Sequence, residues 1–401
     1  MSTITAVRTI RIAERANLIW VEIETDDGLT GLGESFRGVE AIEAVLHEQA
    51  ASFLLGRDAR QIEAVSRHLM TPYLGFHSTG AEMRAASAVD IALWDLAGLR
   101  HGIPVHEALG GRVRDSIRAY NTCAGYSYNS AGARRVVGGS EASSGPYDDQ
   151  VAFMRDAGAL AESLVSEGYS AMKIWPFDIY AAASGGHLIT LTDLKAGLEP
   201  FRKIREAVGD RIEVMCEMHS VWTSHAAIRI CNALEEYRIF WAEDPIAKMS
   251  DVHALADLRR QTRVPICGSE TLGGTVPFRD MLAANALDMV MFDLAWCGGL
   301  TEGRKIAALA ETYARPLAPH DCTGPVTLMA GLHLALHAPT AIFQEVVRAY
   351  LSTWYRDLVT GLPQMRDGMV LAPDGPGLGT KLNPALRQRP DAIVRTSGKP
   401  S

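Results

Sequence analysis

Six polar residues recur at a near-constant interval in the second half of the chain. They are Glu217, Glu243, Glu270, Asp293, His320 and Glu345, separated by 26, 27, 23, 27 and 25 residues. Carboxylates crowded together repel one another unless a cation lies between them. Glu217, Glu243 and Glu270 therefore read as a metal triad. An all-oxygen set without cysteine or histidine favours Mg²⁺, with Mn²⁺ as the alternative. Octahedral Mg²⁺ held by three protein ligands keeps positions open for substrate and water. Asp293 and His320 read as a general-base dyad, because a neighbouring carboxylate fixes the imidazole tautomer and strengthens it as a base. Any one of these glutamates alone would be an ordinary exposed carboxylate. Their shared spacing argues against that.

The interval also names the scaffold. About 25 residues make one strand–loop–helix–loop unit of a (β/α)₈ barrel, whose strand C-termini face one mouth where active sites lie. Each of the six closes or follows a short apolar run, as Glu217 follows Ile212-Glu213-Val214-Met215-Cys216. Candidate strands are 116–122, 170–175, 212–217, 239–243, 265–269, 288–293, 316–319 and 342–345. Strands alternating with helices predict an α/β fold, a (β/α)₈-type (modified TIM) barrel over residues 116–355. Residues 124–150 and 178–193 read as inserted loops.

Residues 1–115 read differently, as an α+β capping domain. An antiparallel start over 4–35 turns at Asp26-Asp27-Gly28. Helical periodicity covers 39–70 and 81–101, with Val89, Leu93 and Leu96 on one face. The turn-rich tail around Asp374–Gly379 is expected to pack back on this domain, so that 356–401 completes it.

Further residues point at the same mouth. His219 lies two beyond Glu217, and period two puts both on one side if the strand continues. It would then donate a proton to a leaving hydroxyl; a solvated loop histidine is the plainer alternative. Lys173 sits inside the second strand, where a lysine needs a partner or a task. It could bind a substrate carboxylate, neutralise Glu217, or reach the rim with its head in water. Glu345 could hydrogen-bond the reacting carboxylate if protonated, or be a solvated rim carboxylate. Trp175, Arg37 and His77 read as substrate contacts, with a solvated loop residue as the alternative for His77.

Bulk properties exclude other classes. The 401 residues exceed one ordinary core. No apolar run approaches the ~20 residues of a membrane helix, and the N-terminal segment has no signal-peptide pattern. A net charge of −8 speaks against nucleic-acid binding. Six scattered cysteines without a CxxC read as reduced thiols of a cytoplasmic protein.

Several segments resemble the enolase superfamily, mandelate racemase subgroup, over nearly the whole chain. Thr25–Glu34 is similar to the hairpin of that family's capping domain, and Ala88–Gly98 to its late helix. Glu243-Asp244-Pro245 resembles its second metal-ligand motif, and Cys297–Glu302 its segment after the sixth strand. The resemblance implies a (β/α)₇β variant of the barrel. It also implies removal of a proton α to a carboxylate, with Mg²⁺ stabilising the enediolate. Two departures stand out. The second-strand Lys-x-Lys of two-faced members corresponds to Lys173-Ile174-Trp175, with Trp175 replacing the second base, which disfavours a simple racemase; in another register Lys173 is itself an acid–base group. Glu217-Met218-His219 is similar to the Asp-x-His of galactonate and mannonate dehydratases, whose histidine protonates the departing 3-hydroxyl, but Glu217 is one methylene longer. The expected activity is Mg²⁺-dependent dehydration of an acid sugar, a 2,3-dihydroxy carboxylate, to a 2-keto-3-deoxy acid by a homo-oligomer. An epimerase or cycloisomerase, with Lys173 or His219 as second acid–base group, is the alternative within enzymes. A barrel that binds metal and acid sugar without turnover is the alternative outside them.

Overall fold

The computed structural model describes residues 2–71, 79–128 and 147–398. His77 lies outside them, as does most of the expected insertion at 124–150.

The N-terminal strands form a four-stranded antiparallel sheet in the order Ala392–Gly398, Ile4–Ile12, Leu18–Thr25, Thr30–Phe36. The expected turn is present, with Gly28 at φ 81°. Helix Ala81–His101 lies close against the last strand, and glycine permits it. A Cβ on Gly33 would stand 1.9 Å from the Ala88 carbonyl oxygen, and one on Gly31 2.1 Å from that of Ala92. Val89, Leu93 and Leu96 are fully buried and pack with Val21, Ile23 and Leu46. The stretch 39–70 is not one helix. It divides into Val39–Ala44, a π-helical stretch Val45–Ala50, Ala51–Leu54 and, after Gly56 at φ 83°, Ile62–Met70.

The second sheet is the barrel. Parallel ladders join Ser116–Thr122, Ala171–Ile174, Glu213–Glu217, Ala242–Glu243, Ile266–Gly268 and Met289–Val290 in order. Gln344–Val346 runs parallel to Ala119–Asn121 on the other side of the first strand. The expected strand at 316–319 forms only isolated bridges, Val290 to Leu317, Asp293 to His320 and Leu317 to Ala341. Pro316 and Pro319 flank it and lack the N–H groups a ladder requires. Directly after Val346, among the described residues, stand the short helices Arg348–Ser352 and Tyr355–Leu358 in place of a full eighth helix, the arrangement the (β/α)₇β resemblance implies.

The barrel interior is a cluster that includes Tyr120, Ala171, Met215, Trp241, Met291, Ala318 and Phe343. Two residues beyond six of these stand Thr122, Lys173, Glu217, Glu243, Asp293 and His320, and two beyond Phe343 stands Glu345. A strand repeats every second residue on one face. The side chains that fill the interior therefore aim the polar set at the mouth.

The tail departs from expectation. Ala392–Gly398 pairs with Ile4–Ile12, but Met369–Leu371 pairs antiparallel with Ser116–Arg118. The described part of the 356–401 segment is thus divided between the two sheets instead of completing the cap alone. Among the described residues, no helix is long and apolar enough to cross a membrane.

Candidate active site

Glu217, Glu243 and Glu270 come together at adjacent strand ends, with one carboxylate oxygen of each within 4.8 Å of the others. All three are buried. Glu217 Oε1 accepts backbone N–H bonds from Met218 at 2.9 Å and His219 at 2.6 Å, while Oε2 is buried without a hydrogen-bond partner among the described residues. An orphaned buried carboxylate oxygen in an all-oxygen cluster fits a hard divalent cation. The triad can hold a metal ion.

Lys173 rises from the second strand into this cluster. Its Nζ is 2.5 Å from Glu243 Oε1, 2.9 Å from Glu345 Oε1 and 3.6 Å from Glu217 Oε2. The structure pairs Lys173 with these carboxylates, Glu243 and Glu345 nearer than Glu217. Burial works against its charge, but the carboxylates outweigh it and hold the ammonium well above its ordinary range. Burial, reinforced by Glu217, pushes Glu243 well up. Glu217 and Glu270 move down despite burial, Glu217 through His219 and Glu243, Glu270 through His320. Glu345 also accepts from the Thr122 hydroxyl and, at 2.8 Å, from the Asp321 N–H.

Asp293 and His320 form the expected dyad, Oδ2 to Nδ1 at 2.7 Å. His320 Nε2 is 2.8 Å from Glu270 Oε2 and 4.0 Å from Glu345 Oε2. Burial disfavours the imidazolium, yet Glu270, Glu345 and Asp293 raise His320 well above its usual range. Trp296 stacks on this imidazole at 5.6 Å, and its Nε1 donates to the Phe36 carbonyl of the cap.

His219 reaches the same pocket by another route than a continued strand. The strand ends at Glu217, and His219 turns at φ 46°, a region few non-glycine residues occupy. Its Nδ1 lies 2.5 Å from Asp178 Oδ2, and Trp175 packs edge-on at 5.5 Å. The pocket is lined by Phe36 and Arg37 from the cap and by Thr122, Tyr128, Lys173, Trp175, Glu217, His219, Glu270, Trp296, His320, Cys322 and Glu345. Glu243 and Asp293 lie behind that surface. Arg37 stands at the end of strand Thr30–Phe36 at φ 63°, its carbonyl and that of Phe36 accepting from Arg84 Nη1 at 3.0 and 2.7 Å.

Sequence reasoning missed Asp178, Thr122 and Trp296. Thr122 carried a signal, since it ends the first strand two residues beyond Tyr120. Asp178 carried none, lying in a stretch expected to be an inserted loop.

Comparison with known proteins places this geometry among relatives. Residues 3–110 match the mandelate racemase/muconate lactonizing enzyme N-terminal domain, and residues 156–386 match the enolase C-terminal domain-like family. D-galactonate dehydratase of Pectobacterium atrosepticum is 31% identical over 392 residues, covering 96% of this chain and 93% of the relative. D-xylonate dehydratase of Haloferax volcanii is 29% identical over 388 residues, covering 95% and 87%. The crystal structure of an enolase protein from environmental sequencing of the Sargasso Sea superimposes with a TM-score of 0.90 at 62% identity, covering 100% of both chains.

Proposed function

Since the chain belongs to the mandelate racemase/muconate lactonizing enzyme family of the enolase superfamily, we propose that it is a Mg²⁺-dependent acid-sugar dehydratase. The observation that carries this reading is the presence of two imidazoles, His320 and His219, in one pocket with the carboxylate triad. Dehydration of a 2,3-dihydroxy carboxylate requires a base for the C2 proton and an acid for the C3 oxygen.

Glu217, Glu243 and Glu270 would hold the cation. When bound, it supplies a Lewis acid on the substrate carboxylate and stabilises the negative charge that develops as the C2 proton leaves. His320, oriented by Asp293, takes that proton at Nε2. His219 gives a proton to the C3 oxygen. The C2–H and C3–O bonds break, water departs, and the enol settles to a 2-keto-3-deoxy acid. Lys173, held by Glu243 and Glu345, places a fixed positive charge beside the reacting carboxylate. Trp175, Arg37 and, from outside the described residues, His77 are proposed to contact the rest of the sugar.

The test is a screen of purified protein with Mg²⁺ against aldonic and aldaric acids, scoring 2-keto acid formation. Turnover of one acid to its 2-keto-3-deoxy product supports the proposal. Exchange of the C2 proton with deuterated solvent without loss of water would replace dehydration by epimerisation, and binding of Mg²⁺ and acid without either would leave a binding barrel.

A further inference from the structure

Asp178 follows strand Ala171–Ile174, at the start of the short helix Asp178–Ala181, and is 4% exposed. It does not cap that helix. Among the described residues, its Oδ2 contacts only the imidazole of His219, at 2.5 Å, and its Oδ1 is buried without a hydrogen-bond partner. Burying a carboxylate is costly unless it is well paired, so a structural role would call for more donors than one ring nitrogen. The ring it holds is fixed from two other directions. Trp175 meets it edge-on, and the backbone N–H of His219, which sets where the ring starts from, is tied to Glu217 Oε1 at 2.6 Å. Nδ1 is engaged by Asp178, and the ring lines the pocket. The arrangement repeats that of Asp293 and His320, where a buried carboxylate likewise takes Nδ1.

We propose that Asp178 is a positioning residue for the elimination step, holding the Nδ1–H of His219 so that Nε2 delivers its proton to the departing C3 oxygen. The inference rests on the dehydratase reading. The two dyads then divide the work. Asp293–His320 governs cleavage of C2–H, and Asp178–His219 governs cleavage of C3–O, with the proton lost from Nε2 leaving the ring in its neutral Nδ1–H form.

The test follows both bond cleavages in deuterated solvent, as deuterium uptake at C2 of recovered substrate and as 2-keto acid formation. In Asp178→Asn, elimination is expected to fall about 100-fold, in the range of a general-acid contribution. C2 exchange and KM should stay within a few-fold of wild type, so the exchange-to-elimination ratio rises by a similar factor. Asp178→Glu, which keeps the acceptor, should recover part of the elimination rate. Parallel loss of exchange and elimination, or no loss, would overturn the assignment. A readout independent of turnover is the ¹⁵N spectrum of the Mg²⁺-loaded protein, with His219 assigned through His219→Gln. A neutral His219 should carry its proton on Nδ1 in wild type and lose that preference in Asp178→Asn. If no acid is dehydrated, the dehydratase reading fails; a His219 found as the Nε2–H tautomer in wild type sinks the positioning role whatever the activity.

Discussion

Asp90 of the cap accepts a 2.9 Å hydrogen bond from the backbone N–H of Thr301, in the first turn of the barrel helix Gly299–Thr312. Trp94, one turn along, donates from Nε1 to the Thr301 hydroxyl at 2.9 Å. One residue further, Asp95 accepts from the N–H groups of Leu32 and Leu378. Glu34 makes an equivalent contact, accepting from Thr327 N and Oγ1 in helix Pro325–His337. Asp90 and Glu34 thus fasten the cap to the barrel as buried carboxylates at the amide-rich ends of barrel helices, and Asp95 ties strand Thr30–Phe36 to the tail at Leu378.

These anchors make stability depend on pH. Burial pushes Asp90, Asp95 and Glu34 each up to about 7. Between the ordinary carboxylate range and pH 7, the folded protein keeps protons that the unfolded chain has released. Their contribution is therefore fully present in acid and is lost as pH rises through 7. Each group should remove about 3 kcal/mol between pH 5 and 8. Asp90→Asn keeps the acceptor for Thr301 and places its NH₂ where Oδ2 already has no partner. Urea unfolding of the variant should show higher stability than wild type at pH 8, near equality at pH 5, and roughly a third less slope between. Identical slopes would refute the assignment.

Lys173 yields a second expectation. It is the only ammonium contacting the buried carboxylates Glu217, Glu243 and Glu345 among the described residues. Lys173→Met strands them, and breaking a buried ion pair from one side costs about 3–5 kcal/mol. A divalent cation in the triad restores positive charge to the cluster. Thermal unfolding without Mg²⁺ should show a large drop for Lys173→Met, and added Mg²⁺ should raise its midpoint more than that of wild type. Equal gains in both proteins would show that lysine and metal do not share these carboxylates.

Much of the site was legible because the barrel repeats. Each of Lys173, Glu217, Glu243, Asp293, His320 and Glu345 lies two residues beyond an interior side chain, so strand periodicity and unit length together predict the mouth. His219 was placed at the mouth for an incomplete reason, since a left-handed turn and not a continued strand brings it there. Asp178 was illegible because its meaning is its contact with His219, 41 residues away, which no local pattern encodes. The tail was misassigned because the pairing strands Met365–Arg366 and Met369–Leu371 have only two and three residues, too few to display alternation. The interface role of Asp90 and Asp95 was hidden for the opposite reason: they sit on a helix buried nearly all round, where periodicity no longer separates core from contact.

Metal dependence is tested at the triad itself. Glu270→Gln replaces a charged oxygen donor with a neutral amide and leaves the imidazole contact in place of similar size. Mg²⁺ affinity measured by calorimetry should fall at least 10-fold, and 2-keto acid formation should fall with it at fixed Mg²⁺, with partial recovery at saturating metal. Chelation of wild type should abolish turnover reversibly. Undiminished turnover in chelator would remove the metal from the proposal.

The Asp293–His320 dyad gives the most discriminating prediction. Asp293 is buried and bonded both to His320 Nδ1 and, at 2.7 Å, to the Ala295 N–H through Oδ1. Asp293→Asn can keep the Ala295 bond only by turning its amide NH₂ toward His320 Nδ1. The ring must then accept at Nδ1 and carry its proton on Nε2, which cannot receive the C2 proton in that form. The loss should resemble removal of the base, about 100- to 10,000-fold in kcat, although His320 remains. His320→Asn should lose at least as much, and the double variant little more than either single, because the two act as one unit. Substrate binding should change less than kcat in all three. Additive losses in the double variant, or wild-type C2 exchange in His320→Asn, would assign the base to another residue, and Lys173 is the nearest candidate on the second strand.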